Sequence, residues 1–350
     1  MPSKLALRLG VAAMVAAGML AAVTPARGAA PAARPAADPP LSAGATAYVD
    51  VSVATLWVSP GQARPLDEPS ETNPADPRAW VAGMSLADRV WLVGKLETQA
   101  LYGQTVTVLE TSGDWVHVVV HGQPTPRDPR GYPGWLPAAQ LTTDRAFGRL
   151  LDRPFALVEA PTTWLYADVA RHRGVSELSL DTRLPVLARA AGSVLVATPD
   201  GGQGWLAARD THVYRTAADI PRPTGADLVA TAKVFAGLHY LWAGTSAFGF
   251  DCSGFTHTVY DLHGVTIPRD ADAQFAAGTP VAADQLQPGD LLFYAYNHGT
   301  GFVHHVGMYL GDGYEIDAPA NSSTVESPIE IVKVAEHRYA DQYAGARRFL

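Results

Sequence analysis

The sequence predicts two small all-β barrels in tandem followed by an α+β domain, and three observations carry that prediction. Two stretches, 105–137 and 183–207, repeat one pattern of short strands. Through 48–218 the apolar runs are short and broken by Gly, Pro and Asp. Beyond Ile220-Pro221-Arg222-Pro223-Thr224-Gly225, helical periodicity appears and is followed by further strands. The 350 residues are 47% hydrophobic and 17% charged, enough for two to three domains with packed cores, and disorder throughout is excluded. A net charge of −8 without any basic run argues against nucleic acid as a partner. The single cysteine, Cys252, excludes a disulfide scaffold.

The N-terminus reads as a signal peptide over 1–28. Lys4 and Arg8 form a positive start, Leu9 to Val23 is apolar, and Ala26-Arg27-Gly28 is a small-x-small triplet. The apolar run is short for a membrane span, an uncleaved anchor being the alternative. No cysteine follows it, so a lipoprotein is not expected. The mature chain is expected to work outside the cytoplasmic membrane without stable insertion. Residues 29–46 are mostly Ala and Pro and read as a semi-extended spacer. A lone thiol in an exported protein has no internal disulfide partner and calls for another role.

The first barrel is expected over 47–145. Thr105 to Leu109 is a strand, Gly113-Asp114 a turn, Trp115 to Val120 a second strand, and Gly134-Trp135-Leu136-Pro137 a short closing strand. The second barrel, over 150–218, repeats this with Arg183 to Leu187, Ser193 to Ala197 and Gly204-Trp205-Leu206-Ala207. Between Trp57 and Lys95 lies an insertion rich in Pro and Asp, with a short helix expected over 85–94. An insertion that long in a small barrel is more often functional than idle. The repeated pattern is similar to bacterial SH3-like domains, in which a Gly-Trp strand closes the barrel.

The third domain is expected over 225–350. Asp227 to Leu238 reads as a helix with Leu228, Thr231, Val234, Phe235 and Leu238 on one face. A second helix runs from near Cys252 to near His263, with Gly264 just beyond it. Strands follow over 291–296, 303–310 and 314–317.

Cys252 stands in Gly249-Phe250-Asp251-Cys252-Ser253-Gly254, at the start of that helix. Unpaired N–H groups and the positive end of the dipole there favour thiolate over thiol. A nucleophilic thiolate needs a base. Most of the 11 histidines have solvated neighbours or alternate with apolar residues, whereas His304 and His305 open a buried-looking strand. A three-residue hairpin loop at 311–313 places Gly307 opposite Asp317, so His305 lies diagonally from Asp317 on one face. Such neighbours are about 7–8 Å apart at the backbone, within reach of an imidazole and a carboxylate. This parity selects His305 as base and Asp317 as its orienting group, while a two-residue loop without a bulge reverses it. The set is a nucleophile, a base and a group that holds the imidazole tautomer. Metal binding is the competing reading, but no CxxC or HxxxH pair accompanies these residues, and neither metal nor cofactor is expected.

Tyr240-Leu-Trp-Ala-Gly244, Phe250-Asp251-Cys252-Ser253-Gly254-Phe255, Leu286-Gln-Pro-Gly-Asp290 and His305-Val-Gly-Met-Tyr-Leu-Gly-Asp-Gly313 occur in the order of the NlpC/P60 cysteine peptidases, which this region resembles over 225–350. The resemblance implies a papain-like α+β fold and hydrolysis of peptidoglycan stem peptides between γ-D-glutamate and a diamino acid. It places the third polar catalytic residue at Asp317, where many relatives have His. It implies that Tyr240, Asp251 and Ser253 contact substrate. Tyr240 reads equally as a core aromatic, and Asp251 as the helix N-cap, roles that can coexist. A family serine after Pro-Arg-Asp is Ala271 here.

The N-terminal half, through Lys95-Leu-Glu97 to Gly103 and Tyr132-Pro-Gly-Trp-Leu-Pro137, resembles the γ-D-glutamyl-L-diamino acid endopeptidases with two SH3-like domains. That implies Glu97 and Tyr132 bind the free α-amine of L-Ala-γ-D-Glu. Glu97 alone reads as an ordinary surface charge. An acylated L-Ala would then leave Glu97 unpaired. The expectation is an exported thiol protease preferring stem peptides with a free L-Ala. The alternatives are an endopeptidase on glycan-attached peptidoglycan, acyl transfer, and a degenerate wall-binding protein.

Overall fold

The computed structural model describes residues 39–190, 192–320 and 326–350. The expected signal peptide and most of the spacer lie outside them. The first barrel comprises β1 (Thr46–Val49), β2 (Val53–Trp57), β3 (Leu96–Leu101), β4 (Thr105–Ser112), β5 (Trp115–Val120), β6 (Tyr132–Pro137) and β7 (Leu141–Thr142). Their order is β3-β2-β6-β5-β4-β1-β7. The short helix α3 (Arg145–Gly148) leads to the second barrel. That barrel comprises β8 (Phe155–Val158), β9 (Thr162–Tyr166), β10 (Gly174–Ser179), β11 (Arg183–Ala190), β12 (Ser193–Ala197), β13 (Gln203–Ala207) and β14 (Thr211–Tyr214). Its order, β10-β9-β13-β12-β11-β8-β14, is that of the first barrel strand for strand.

Alternation explains both cores. On β4 and β5, Val106, Val108, Val116, Val118 and Val120 turn inward and are buried with Leu56 and Leu136. The glycine that opens each Gly-Trp pair answers a close approach of the neighbouring strand. A Cβ at Gly134 would sit 2.9 Å from the Leu56 Cβ, and one at Gly204 2.5 Å from a Leu165 methyl. Both barrels need glycine there for the same steric reason.

The insertion between β2 and β3 forms a 3-10 turn at Pro65–Ser70, then α1 (Pro77–Gly83) and α2 (Leu86–Trp91). Ser85 and Asp88 make a reciprocal capping box at the start of α2. Trp80, Val81, Met84 and Leu92 pack with Trp57 and Leu96, and also with Leu241 and Ala243 of the third domain. The insertion is therefore a wedge between the first barrel and the loop that leads to Cys252.

In the third domain, α4 (Gly225–Lys233) is capped by Thr224 and ends before the expected Leu238. Bonds from Val234 to Thr231 and from Phe235 to Ala232 tighten the chain into turns, and Gly237 adopts φ +89°. Val234, expected on the apolar face, is 58% exposed. A two-residue hairpin, β15 (Thr245–Ser246) with β16 (Gly249–Phe250), feeds α5 (Cys252–Leu262). After α6 (Ala271–Ala277) come β17 (Thr279–Val281), β18 (Leu291–Ala295), β19 (Val303–Gly311), β20 (Tyr314–Asp317), β21 (Glu330–Lys333) and β22 (Tyr343–Arg348). They form one antiparallel sheet, β17-β22-β18-β19-β20-β21. Phe255 and Val259 of α5 share a core with Phe293 of β18 and Val306 and Met308 of β19. That packing sets the start of α5 against the β19–β20 end of the sheet. Among the described residues, no helix is long and apolar enough to cross a membrane.

Candidate active site

Asp251 caps α5, accepting a bond from the Gly254 N–H at 2.6 Å, so Cys252 occupies the first helical position. The cysteine is 8% exposed. His305 reaches it from β19, through the strand register. Gly307 pairs with Asp317, Met308 with Ile316 and Tyr309 with Glu315, but Gly311 pairs with Tyr314. The connecting loop is thus two residues, Asp312-Gly313, both at positive φ, rather than three. A bulge at Leu310 supplies the missing residue and keeps His305 and Asp317 on one face.

The His305 Nε2 donates to Asp317 Oδ1 at 2.6 Å, and both side chains are almost wholly buried. This leaves His305 Nδ1 as the ring nitrogen available to Cys252, which acts on the imidazole. Burial opposes charge on the imidazole, but Asp317 and then Cys252 outweigh it and hold His305 well above its ordinary pKa. Burial likewise favours the neutral form of Asp317. His305 and a second imidazole, His337, overcome this and lower the carboxyl to about 2. His304 points to the other face, where it bonds Gln342 at 2.6 Å and stacks on Tyr296.

Sequence reasoning missed His337. Between Glu336 and Arg338 it reads as one of the solvated histidines, but it is 5% exposed. Its Nε2 is 2.8 Å from Asp317 Oδ2. Beside it, Tyr294 donates to Glu315 Oε1 at 2.5 Å, and burial raises Glu315 to about 7. No local signal could have found this cluster, because His337 lies 20 residues from Asp317 and arrives through the turn after β21. Among the described residues, His305, Asp317 and His337 are the set with spacing that could hold a metal. Their facing atoms already bond one another, which fits a proton-bearing cluster.

The first barrel packs against the third domain beside the segment that leads to Cys252. The Thr245 N–H and Ser246 hydroxyl donate to Gln99 Oε1 at 3.1 and 3.0 Å, and Trp242 donates to the Leu96 carbonyl at 3.1 Å. Tyr132 donates to Asp270 Oδ1 at 3.1 Å, and burial raises the pKa of that carboxyl. Glu97 is neither solvated nor open. Arg127, on the β5–β6 loop, grips both of its oxygens, with one bond at 2.9 Å, and lies 5.1 Å over the Tyr132 ring. The Arg127 side chain is 42% exposed and that of Glu97 14%.

Asp251 and Ser253 meet at a buried arginine. Arg269 donates to both Asp251 oxygens at 3.0 and 2.7 Å, to Ser253 Oγ at 3.0 Å, and to Thr98 of β3 at 3.1 Å. Asp251 is therefore both cap and ion-pair partner. Arg269→Met leaves that carboxylate buried without its cation and is expected to destabilise by roughly 3–5 kcal/mol. Urea unfolding with a lowered midpoint and unchanged slope checks this, and an unchanged midpoint contradicts it. Tyr240 is buried beside Cys252 and Asp251, and burial followed by those two charges raises its pKa. Ala271 is buried at the first position of α6, next to Asp270.

Comparison with known proteins finds a match within each of the three domains. Residues 237–348 match the NlpC/P60 family, 158–214 the YKFC SH3b2 domain, and 94–141 the bacterial dipeptidyl-peptidase Sh3 domain. The chain is 50% identical to a γ-D-glutamyl-L-lysine dipeptidyl-peptidase of Bacillus cereus, over 87% of this chain and 91% of that protein. It is 35% identical to the protein of that name from Bacillus subtilis, over 85% and 96%. The crystal structure of an NlpC/P60 family protein from Bacillus cereus superposes with a TM-score of 0.84 at 49% identity, covering 87% of this chain and 100% of that one.

Proposed function

The chain belongs to the NlpC/P60 family, and from that premise we propose an exported cysteine peptidase that cuts the γ-D-glutamyl–diamino acid bond of peptidoglycan stem peptides. The observation that carries the reading is the buried Cys252–His305–Asp317 array, with the first barrel packed beside the loop and helix start that carry Cys252. The Cys252 sulfur attacks the γ-carbonyl carbon of D-Glu, and the C–N bond to the diamino acid breaks. His305 gives its proton to the departing amine, leaving a thioester on Cys252. Water, deprotonated by the same imidazole, then hydrolyses the thioester. The Cys252 N–H, at the first helical position, has no partner within the helix and suits the developing oxyanion. Both relatives are named for a γ-D-glutamyl-L-lysine bond, which makes lysine the first diamino acid to test.

The preferred substrate carries a free N-terminal L-Ala. Its ammonium takes the place of the exposed Arg127 guanidinium on Glu97, with Tyr132 and Asp270 alongside. The relatives' designation as dipeptidyl-peptidases, enzymes that release an N-terminal dipeptide, supports this. An acylated L-Ala leaves Glu97 on Arg127 rather than unpaired, so discrimination reflects only the lost charge-assisted contact. On that basis the free tripeptide is expected to exceed its N-acetyl form by about 10- to 100-fold in kcat/KM. Glu97→Gln should narrow the gap. The second reading, an endopeptidase on glycan-attached peptides, gains from the same ion pair, because a Glu97 already neutralised makes no demand for an ammonium. Equal rates on free and acetylated tripeptide, measured by mass spectrometry of products, would establish it.

A further inference from the structure

We propose that His337 is a positioning residue of the catalytic array, pinning the second oxygen of Asp317 so that the first stays aimed at His305. The inference rests on the reading of Cys252, His305 and Asp317 given above and extends it by one residue.

Asp317 is fully buried, and its two oxygens are divided between two imidazoles: Oδ1 faces His305 Nε2 at 2.6 Å and Oδ2 faces His337 Nε2 at 2.8 Å. The tautomer of His337 follows from its other nitrogen. The Tyr339 backbone N–H donates to His337 Nδ1 at 3.2 Å, so Nδ1 carries a lone pair and the ring proton sits on Nε2, pointing at Asp317. His337 is thus a neutral donor to the carboxylate. It orients Asp317 without cancelling the charge that His305 needs.

The ring is itself held in place. It stacks on Tyr294 at 4.5 Å and 27°, and Tyr339 meets it edge-on at 5.4 Å. Tyr294 is in turn anchored by Glu315. A carboxylate on a short side chain rotates in a broad well, and one hydrogen bond leaves that rotation soft. A second bond on the opposite oxygen fixes the plane of the group. That need arises because the third catalytic position is a carboxylate in this chain.

Two substitutions separate positioning from packing. His337→Phe keeps an aromatic ring on Tyr294 and removes the N–H. His337→Gln keeps an N–H donor for Asp317. His337→Phe is expected to lower kcat on the free tripeptide by about 10- to 100-fold, with KM within about twofold, by analogy with other groups that orient a catalytic side chain. His337→Gln should recover most of that loss. In an Asp317→Asn background His337→Phe should cost little more, because its effect passes through Asp317. Wild-type kcat in His337→Phe overturns the proposal, as do equal losses in the Phe and Gln variants or full additivity with Asp317→Asn. If His337→Phe does not fold, His337→Asn, whose amide is too short to reach Asp317, takes its place against His337→Gln. Should Asp317→Asn alone retain wild-type turnover, the assignment of the array fails instead, and the two failures are told apart.

Discussion

Cys252→Ala is expected to remain folded and to lose hydrolysis by on the order of 10⁴- to 10⁶-fold, the range for removing a nucleophile that acts with its base as a unit. The change is small, and Cys252 contributes one side chain at the rim of the third-domain core, so thermal unfolding should move little. His305→Ala should be comparably severe, because it removes the imidazole that is paired with Asp317 and acted on by Cys252. His304→Ala is the internal control. His304 faces Gln342 and Tyr296 rather than the thiol, so turnover should stay within a few-fold of wild type. Product analysis on the free tripeptide reads all three. Substantial hydrolysis by Cys252→Ala, or a severe His304→Ala beside a mild His305→Ala, refutes the assignment.

Asp317→Asn keeps the size of the side chain and removes its charge. Turnover is expected to fall by about 10²- to 10⁴-fold, as when a histidine loses its orienting carboxylate. The pH profile carries the mechanism. Burial opposes the His305 imidazolium, and Asp317 is the strongest group opposing that loss, so Asn lowers the His305 pKa. The limb on which activity falls with rising pH should therefore move to lower pH. Stability follows the same signs. Asp317 is at about 2 in the folded protein, below the ordinary carboxylate value, so its contribution is present above about pH 4 and disappears as pH falls towards 2. His305 is raised, so its contribution is complete below about pH 6.5 and is lost as pH rises through its folded value. Urea midpoints across this range should show wild type losing stability on the acid side more steeply than Asp317→Asn. A profile unchanged in height and shape leaves Asp317 a purely structural residue.

Several features could be read along the chain because neighbours in sequence dictate them. The Gly-Trp closing strands recur because each barrel needs a glycine where the adjacent strand crosses. The position of Cys252 follows from Asp251 as cap. Even the pairing of His305 with Asp317 was accessible from hairpin parity, although the real loop is shorter. The bulge at Leu310 compensates for it, and alternation along strands does not reveal a bulge. The helix expected to reach Leu238 illustrates the opposite limit. Its apolar period continues past Lys233, but tertiary packing and Gly237 turn the chain aside and leave Val234 in solvent.

Sequence alone determined the repeated barrels, the thiol at a helix start, and the carboxylate within reach of its histidine. These follow from patterns legible along the chain: strand alternation and Gly-Trp strands in the barrels, a cap one residue before Cys252, and a hairpin that brings residues 12 apart together. Only the tertiary structure decided that Arg127 occupies Glu97, that Arg269 ties Asp251 to Thr98 of the first barrel, and that His337 takes the second oxygen of Asp317. Those pairings span 30, 171 and 20 residues. Each joins a charge that would be costly to bury alone to a partner, and which partner arrives is a property of how whole elements pack rather than of any local pattern.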